Sequence, residues 1–307
     1  MIRRPQITLL PDGRRLHLQD GPIDLIVEAR GPAAEIEIAY AAAAESLTGL
    51  LDRLCQELTQ LRRNVSATNF SLTAPVAQRM LAAVQPYAAE HFITPMAAVA
   101  GSVAEEVLGA MTHAAKLDRA YVNNGGDIAL HLEQGQHFTV GLVDRPDHLS
   151  LVGKTIVDAT SPVRGVATSG RHGRSFSLGI ADAVTVLART AAQADAAATI
   201  IANAVDLPGH PGVLRCPASD IQPDNDLGER LVTRDVATLS DDEVITALQS
   251  GADCARDLLA RGLIEGAALF LQGQRRIVAL PEATLSINTI NKSALATAPQ
   301  MERLMHA

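Results

Sequence analysis

The sequence has few of the residues that mark several common kinds of functional site. Its 307 residues include only three cysteines, Cys55, Cys216 and Cys254, which lie far apart and form no CxxC pair. They therefore indicate neither a zinc site nor a disulfide framework. The nine histidines are scattered, and none of them is part of an HExxH sequence.

Long apolar runs and an excess of positive charge are also missing. The N-terminal segment offers only a short apolar run before Pro11, too short for the core of a signal peptide, and no run of transmembrane length follows. We therefore expect a cytoplasmic protein with no membrane partner. The net charge of -8 and the pI near 5.6 argue against a nucleic-acid partner, although a local arginine cluster could bind one small anion.

Composition and pattern favour a globular protein of mixed secondary structure. Hydrophobic residues make up 47% of the chain and charged residues 20%, and we find no internal repeat or low-complexity linker. Strand pairs alternate with helices, which predicts an α+β (mixed α/β) fold. We expect a single domain over 1–307 with its core motifs in 90–205. Its prolines predict a partly irregular surface excursion over 206–239.

Local patterns place the elements along the chain. Apolar spacing and capping residues predict helices over 33–62, 75–84, 190–205 and 240–261. Thr190 with Gln193 and Ser240 with Glu243 have the spacing of capping boxes. β-branched and alternating runs predict strands over 15–19, 23–28, 120–130 interrupted by a turn, 137–143, 182–188, 267–271 and 275–280.

The stretch from Gly165 to Val205 carries most of the chemistry. Its first ten residues, Gly165 to Arg174, contain hydroxyls, glycines and cationic side chains. A loop of this composition can offer an anion backbone N–H groups, hydroxyl donors and positive charge. We therefore interpret this segment as an anion-binding loop.

The helix that follows carries a polar stripe on an otherwise apolar sequence. Asp195, Thr199 and Asn203 are spaced by four residues and so share one face. A carboxylate followed one turn later by a hydroxyl suits a hard cation such as Mg²⁺, which prefers oxygen ligands. The alternative is that Asp195 complements the helix dipole and Thr199 bonds to a backbone carbonyl.

Two further segments each allow a functional and a structural interpretation. Ala120 to Leu130 contains Asn-Asn-Gly-Gly-Asp, which is typical of a tight turn between two strands and can also line a ligand. Small residues dominate from Ala97 to Ala104, so either a ligand or another backbone could approach there. Tight helix packing is the structural alternative.

Three motifs occur in an order that resembles the ApbE-like superfamily. The small-residue segment is followed by Val122-Asn-Asn-Gly-Gly-Asp-Ile128, then by Val166-Ala-Thr-Ser-Gly170 and Ala194-Asp-Ala-Ala-Ala-Thr199. Characterised members of that superfamily are FAD:protein FMN transferases, and this chain looks closest to a soluble, functionally uncharacterised branch. The resemblance implies a T-fold-like, mostly antiparallel sheet with packed helices.

The same resemblance implies roles for individual residues. Asp195 and Thr199 would be Mg²⁺ ligands, with a backbone carbonyl at Ala100 or Gly101 as a third. The flavin nucleotide would be lined by residues of the two loops, and two residues near the second loop are candidates for catalysis. The flavin-binding candidates are Asn124, Gly125, Gly126, Asp127, Thr168, Ser169, Gly170 and Arg171, and the catalytic candidates are Asp182 and His172.

The chain also departs from the superfamily's pattern. Gly173 to Asp182 lacks the His-x-x-Asp-Pro segment of flavin transferases, so Asp182 stands as a remnant and His172 lies too early for the same role. Ser102 to Glu105 occupies the place where the family has a lysine. These departures suggest that binding is retained while protein flavinylation is changed or lost.

Three hypotheses follow from the sequence. The first is a Mg²⁺-dependent enzyme that binds FAD and cleaves or transfers at its pyrophosphate, with a possible acceptor protein as partner. The second is a non-catalytic protein that binds a flavin, pterin or purine nucleotide, and the third is a scaffold. A mixed sheet with open edges makes a homodimer a reasonable expectation.

Overall fold

The computed structural model describes residues 4–67, 69–145 and 151–279. Within these ranges strands and helices alternate along the chain. The strands are β1 (Gln6–Leu9), β2 (Leu16–Asp20), β3 (Ile23–Arg30), β4 (Arg119–Asn124), β5 (Asp127–Leu132), β6 (His137–Val143), β7 (Leu151–Asp158), β8 (Gly165–Ser169), β9 (Ala183–Ala188), β10 (Val213–Pro217), β11 (Leu231–Val236), β12 (Gly266–Leu271) and β13 (Gln274–Ala279). The helices are α1 (Ala33–Leu47), α2 (Leu50–Leu61), α3 (Pro75–Val84), α4 (Val99–Ala114), α5 (Ala191–Ala204), α6 (Ala218–Ile221) and α7 (Asp241–Ala260).

One large sheet organises these elements. Nine strands lie in the order β1-β2-β3-β4-β5-β8-β9-β12-β13, and every neighbouring pair in it is antiparallel. The remaining strands form two separate ribbons, β6 with β7 and β10 with β11. The predicted α+β class, with a mostly antiparallel sheet and packed helices, is confirmed.

The two faces of the sheet's central part have different coverings. Along β9, Val184 and Val186 share a buried cluster with the residues of α5 and α7. Leu187 and Ala183 instead pack with residues of the β6–β7 ribbon. Because alternate strand residues point to opposite faces, helices cover one face here and the ribbon covers the other. This double covering explains why β9 is apolar without alternation.

The helix starts agree with the capping pattern. Before α5, the Thr190 side chain accepts a hydrogen bond from the Gln193 backbone N–H at 3.2 Å. Before α7, Ser240 and Glu243 form a complete capping box. Each cap satisfies an N–H group that the helix itself leaves unpaired, so both predicted start points are confirmed.

Three local predictions need correction. The helix expected over 33–62 is divided into α1 and α2, because Gly49 adopts a left-handed conformation with φ of 69°. The segment expected as a loop from Gly165 to Arg174 begins as strand β8, which pairs with β9 along its whole length. Strands β1 and β7 were not expected, since Gln6–Leu9 is very short and Gly153 and Lys154 interrupt the apolar pattern of β7.

The segment 206–239 lies outside the large sheet. It contains the β10–β11 ribbon and the short helix α6. Two contacts tie it to the chain just before α4: Thr94 donates to Asp226 at 2.5 Å, and the Arg230 guanidinium stacks over the Phe92 ring. The excursion is thereby fixed close to the N-terminal end of α4.

Two glycines allow α5 to lie unusually close to its neighbours. A Cβ atom on Gly101 of α4 would be 2.3 Å from the Ala191 carbonyl oxygen, and one on Gly165 of β8 would be 2.1 Å from the Thr190 carbonyl oxygen. Both contacts are with backbone, which cannot move aside as a flexible side chain can. The small-residue segment therefore serves close helix packing, the structural alternative recognised in the sequence.

Helix α4 contains a second glycine, Gly109, that serves as a control for the contact between Gly101 and α5. We expect Gly101→Ala to destabilise the fold by about 1–3 kcal/mol, because its methyl group overlaps the α5 backbone. Gly109→Ala should instead stabilise it by about 0.5–1 kcal/mol, because that position has the same helical backbone and open space around it. Urea unfolding of both variants checks this. Equal stability of the two would show that α4 and α5 are not held at the observed distance.

Candidate functional site

Two carboxylates from distant parts of the sequence lie together at one end of the sheet. Asp127 is the first residue of β5, and Asp195 lies in the second turn of α5. Both side chains are partly buried. The negative charge of Asp127 is close enough to raise the pKa of Asp195. The predicted metal-ligand candidate thus faces a residue that was predicted to line the flavin.

The surroundings of this acid pair disfavour two negative charges. Burial raises the pKa of Asp127 to about 7, against the opposing effects of the Thr168 backbone N–H and the Arg174 charge. Burial and the charge of Asp127 together raise the pKa of Asp195 well above its ordinary value. Desolvation penalises the charged form of each group, and the like charge adds to this for Asp195.

The first turn of α4 completes one side of the site. The Gly101 backbone N–H donates to Asp195 Oδ2 at 3.0 Å, and the N–H of Ala100 also lowers the pKa of that carboxyl. The buried Asn124 side chain donates from Nδ2 to the Ala100 carbonyl oxygen at 3.2 Å. The peptide at Ala100 and Gly101 thus joins the acid of α5 to the turn after β4.

The Asn-Asn-Gly-Gly-Asp segment forms a tight hairpin turn. Asn124 and Asp127 pair across it, and Gly125 and Gly126 have φ of 67° and 111°. The Gly126 backbone N–H donates to Asn123 Oδ1 at 2.8 Å. Glycine is needed because other residues adopt these angles only with strain. Asn123, Gly125 and Gly126 of this turn line a depression of about 370 Å³.

The end of β8 reaches the acid pair from the other side. The Thr168 hydroxyl forms a hydrogen bond of 2.9 Å with the hydroxyl of Thr185 on β9. The Thr168 backbone N–H donates a hydrogen bond to the Asp127 carboxylate, which opposes the rise in its pKa. Ser169 is partly buried beside it. Gly170 has φ of 147°, and a Cβ there would be 2.5 Å from the Asp182 carbonyl oxygen. The chain therefore turns sharply against the start of β9.

The two predicted catalytic residues contact one another. Asp182 is only 6% exposed, and its Oδ1 lies 3.2 Å from His172 Nε2. The same oxygen accepts from Arg171 Nη2 at 2.7 Å and Nε at 2.9 Å. Its other oxygen accepts from the Gln272 backbone N–H at 2.5 Å. Arg171, predicted to bind the flavin nucleotide, thus has its guanidinium directed at Asp182.

The predicted metal-ligand candidates are hard oxygen donors from two elements, α4 and α5. In the described ranges no three or more histidine, cysteine, aspartate or glutamate side chains cluster in a way that could hold a metal. The ligands predicted from the sequence are Asp195, Thr199 and the carbonyl oxygen of Ala100 or Gly101, and Thr199 is partly buried one turn after Asp195. The structure adds Asp127, which was predicted to line the flavin, beside Asp195.

Some contacts at the site were not foreseen. Gln272 lies in a hairpin turn far along the sequence, with the unusual φ of 43° for a residue other than glycine. Its side chain also accepts from Leu239 N and donates to the Ala237 carbonyl oxygen. The sequence Gln-Gly-Gln predicts only a turn, and the Thr185 hydroxyl is hidden in an apolar strand. For neither Gln272 nor Thr185 does the local sequence predict a contact at this site.

Fold and site together define the class: an α+β protein with an acid pair, a glycine turn and a hydroxyl-bearing strand end at one end of an antiparallel sheet. The profile of the family described as "AbpE bacteria" matches residues 7–277. The chain belongs to this family, and the predicted ApbE-like membership is confirmed.

Several archaeal proteins are similar over parts of the chain. A UPF0280 protein of Methanopyrus kandleri is 36% identical over 166 residues, which cover 52% of this chain and 66% of the relative. One of Methanothrix thermoacetophila is 36% identical over 176 residues, covering 55% and 69%. One of Methanothermobacter thermautotrophicus is 42% identical over 118 residues, covering 38% and 44%. The matched part of the chain thus spans from under half to about two thirds of these relatives.

The chain also aligns with one solved structure over most of its length. The apo crystal structure of Pseudomonas stutzeri flavinyl transferase ApbE aligns with a TM-score of 0.44 and 12% identity, over 93% of this chain and 99% of that one.

In the part of the chain that the structure describes, no helix combines the length and the apolar character needed to cross a membrane.

The acid pair predicts how stability depends on pH when no metal is present. An unfolded aspartate titrates near pH 4, whereas Asp127 in the folded protein has a pKa of about 7. The folded state holds a proton that the unfolded state releases, so this contribution to stability is complete below about pH 4 and is lost as pH rises through about 7.

Urea unfolding in the presence of a chelator at about pH 5 and about pH 8 measures this effect. We expect the wild type to be less stable at the higher pH and Asp127→Asn to lose less, because asparagine has no proton to release. Asp52→Asn, at an exposed position of α2, is the control and should behave like the wild type. An identical loss in all three proteins would contradict the prediction.

Proposed function

We propose that the protein is a Mg²⁺-dependent, flavin-nucleotide-binding enzyme of the ApbE type that cleaves or transfers at the FAD pyrophosphate. The observation that carries this proposal is the convergence of Asp127 and Asp195 beside the backbone N–H groups of Gly101 and Thr168. Two partly buried acids that repel each other are costly unless a cation or a proton offsets them. The family resemblance supplies the flavin nucleotide as the ligand.

The donor set fits Mg²⁺ in its chemistry. Asp127 and Asp195 would supply carboxylate oxygens, Thr199 a hydroxyl and Ala100 a carbonyl oxygen, and Mg²⁺ prefers such hard donors. The Ala100 oxygen already accepts from Asn124 Nδ2 at 3.2 Å. When bound, the ion would neutralise negative charge on a pyrophosphate.

The chain's own residues would bind and orient the nucleotide around that ion. The turn at Gly125 and Gly126 and the strand end at Thr168 to Gly170 bring backbone close to the acid pair. The space beside Gly126 is open, whereas the Arg174 guanidinium fills it at Gly125 and the Asp182 backbone fills it at Gly170. These are the two segments that the resemblance assigns to the flavin. We propose them as the walls of the nucleotide site.

If the protein is an enzyme, His172 would act as the proton-transfer group. Its Nε2 lies 3.2 Å from Asp182 Oδ1, so the tautomer with hydrogen on Nε2 donates to the carboxylate. Asp182 is itself fixed by Arg171 and by the Gln272 N–H. This arrangement holds the imidazole in one orientation, as a proton-transfer group requires.

One observation favours the non-catalytic alternative. The Asp182 carboxylate is almost fully buried and accepts hydrogen bonds at both oxygens, which is the arrangement of a structural carboxylate. The expected His-x-x-Asp-Pro segment is also absent. A protein that binds a flavin, pterin or purine nucleotide without turnover would keep the acid pair and need no proton transfer at His172.

Calorimetric titration of FAD with and without Mg²⁺ tests the binding part of the proposal. We expect binding to require Mg²⁺ in the wild type and to weaken at least about tenfold in Asp195→Asn, because one carboxylate ligand becomes an amide. Asp52→Asn is the matched control and should bind like the wild type. Tight FAD binding that is indifferent to both Mg²⁺ and Asp195→Asn would contradict the metal-dependent site.

His172→Gln separates the enzyme from the binding protein. We expect this variant to bind FAD like the wild type but to release FMN or AMP at least about a hundredfold more slowly, since proton transfer contributes on that scale. Chromatography of the nucleotides after incubation with Mg²⁺ measures the products. Tight binding by the wild type with no product formed would favour the non-catalytic alternative.

A further inference from the structure

Two arginines of one loop have different surroundings. Arg171 is bound through two nitrogens to Asp182, and its side chain is 17% exposed. Arg174, three residues later, is exposed and reaches across to the hairpin turn between β4 and β5. Although both are close in sequence to the predicted nucleotide loop, only Arg174 lies over the turn that bears Asp127.

The contact of Arg174 with the turn is very close. A Cβ atom on Gly125 would lie 1.8 Å from Arg174 Nη2 and 2.9 Å from Cζ, so the guanidinium occupies the space that any larger residue at this position would fill. Gly125 begins the two-residue turn that Asn124 and Asp127 close. The guanidinium therefore rests on the backbone that leads into Asp127. In agreement with this placement, its charge lowers the pKa of Asp127 against the effect of burial.

Arg174 also borders open space. The depression of about 370 Å³ next to the turn is lined by Arg174, Gly125, Gly126, Asn123, Asp24 and Ile26. A guanidinium at the rim of such a depression can bind the oxygens of a phosphate with two parallel N–H groups. The same side chain is thus placed between an acidic group and a space that a ligand could enter.

We propose that Arg174 is a positioning residue with two alternative partners: the charge of Asp127 in the metal-free protein, and the phosphate of a flavin nucleotide once a divalent cation binds at the acid pair. This inference rests on the proposed function. The physical reason is competition, because a guanidinium and a metal ion near one carboxylate repel each other. A phosphate attracts both, so its arrival removes the conflict.

Competition predicts opposite effects of one substitution on two ligands. In Arg174→Ala, Mn²⁺ alone should bind about three- to tenfold more tightly, because the competing charge is absent at a partly exposed site. FMN in the presence of Mg²⁺ should bind about tenfold more weakly, because one charge-assisted contact to phosphate is lost. Riboflavin, which lacks the phosphate, should bind equally to both proteins.

Arg174 is exposed, so its replacement should leave the fold intact, which circular dichroism and the unfolding midpoint verify. Mn²⁺ binding is measured by electron paramagnetic resonance, and the two flavins by quenching of their fluorescence. Arg174→Lys keeps the charge and should restore the wild-type Mn²⁺ affinity, but only part of the FMN affinity. Arg256→Ala, on the exposed side of α7, controls for net charge.

The outcomes distinguish this inference from the proposed function. A wild type that binds neither Mn²⁺ nor FMN overturns both. If the wild type binds both ligands and the Mn²⁺ affinity of Arg174→Ala is within about twofold of the wild-type value, only the role of Arg174 is overturned. Equal weakening of FMN and riboflavin in Arg174→Ala also overturns that role, because the phosphate would then not be its partner.

Discussion

The close contact of α5 with two glycines sets the geometry on which the site depends. The backbone at Thr190 and Ala191 fits against Gly101 of α4 on one side and Gly165 of β8 on the other, at distances that leave no room for a Cβ atom. Each neighbour thereby fixes the depth and the angle of the helix. Since Asp195 lies only one turn further along α5, these contacts also determine where its carboxylate is held.

That placement creates an electrostatic conflict at the end of the sheet. Gly101 allows the two helices to approach, and its backbone N–H donates to Asp195. One residue therefore serves both the close packing of α4 with α5 and the hydrogen bonding of the buried carboxylate. Asp127 lies at the end of the hairpin turn, and its charge together with burial raises the pKa of Asp195, while burial raises the pKa of Asp127. A fold that places two carboxylates together in this way is suited to binding a cation, and through it a phosphate-bearing ligand.

A second polar network lies beside the first and has a different character. Asp182 joins His172 and Arg171 to the C-terminal hairpin through Gln272, whose side chain in turn reaches the end of the 206–239 excursion. Every contact in this network orients a side chain or ties two segments together. The loop that follows β8 is therefore held firmly at Arg171 and His172, whereas Arg174 extends over the glycine turn.

Local sequence patterns were sufficient to predict those helix starts, turns and strands that are fixed by interactions within a few neighbouring residues. The caps at Thr190 and Ser240, the glycine turn before Asp127 and the apolar strand β9 could all be predicted, because backbone angles and hydrogen bonds within one segment fix them. Motif order was sufficient for the family. Strand β8 was missed, because its residues become a strand only through pairing with β9 and β5.

Tertiary structure alone decided which groups meet. Spacing on the helix gave Asp195 as a candidate and the family resemblance gave Asp127, but the effect of the Asp127 charge on the pKa of Asp195 exists only because the start of α5 and the hairpin turn lie close together. The tertiary structure likewise places the Arg171 guanidinium against Asp182 and that of Arg174 over Gly125. The local sequence does not distinguish these two arginines. Charge interactions depend on distance through space, and no local pattern encodes the distance between residues that are far apart in the chain.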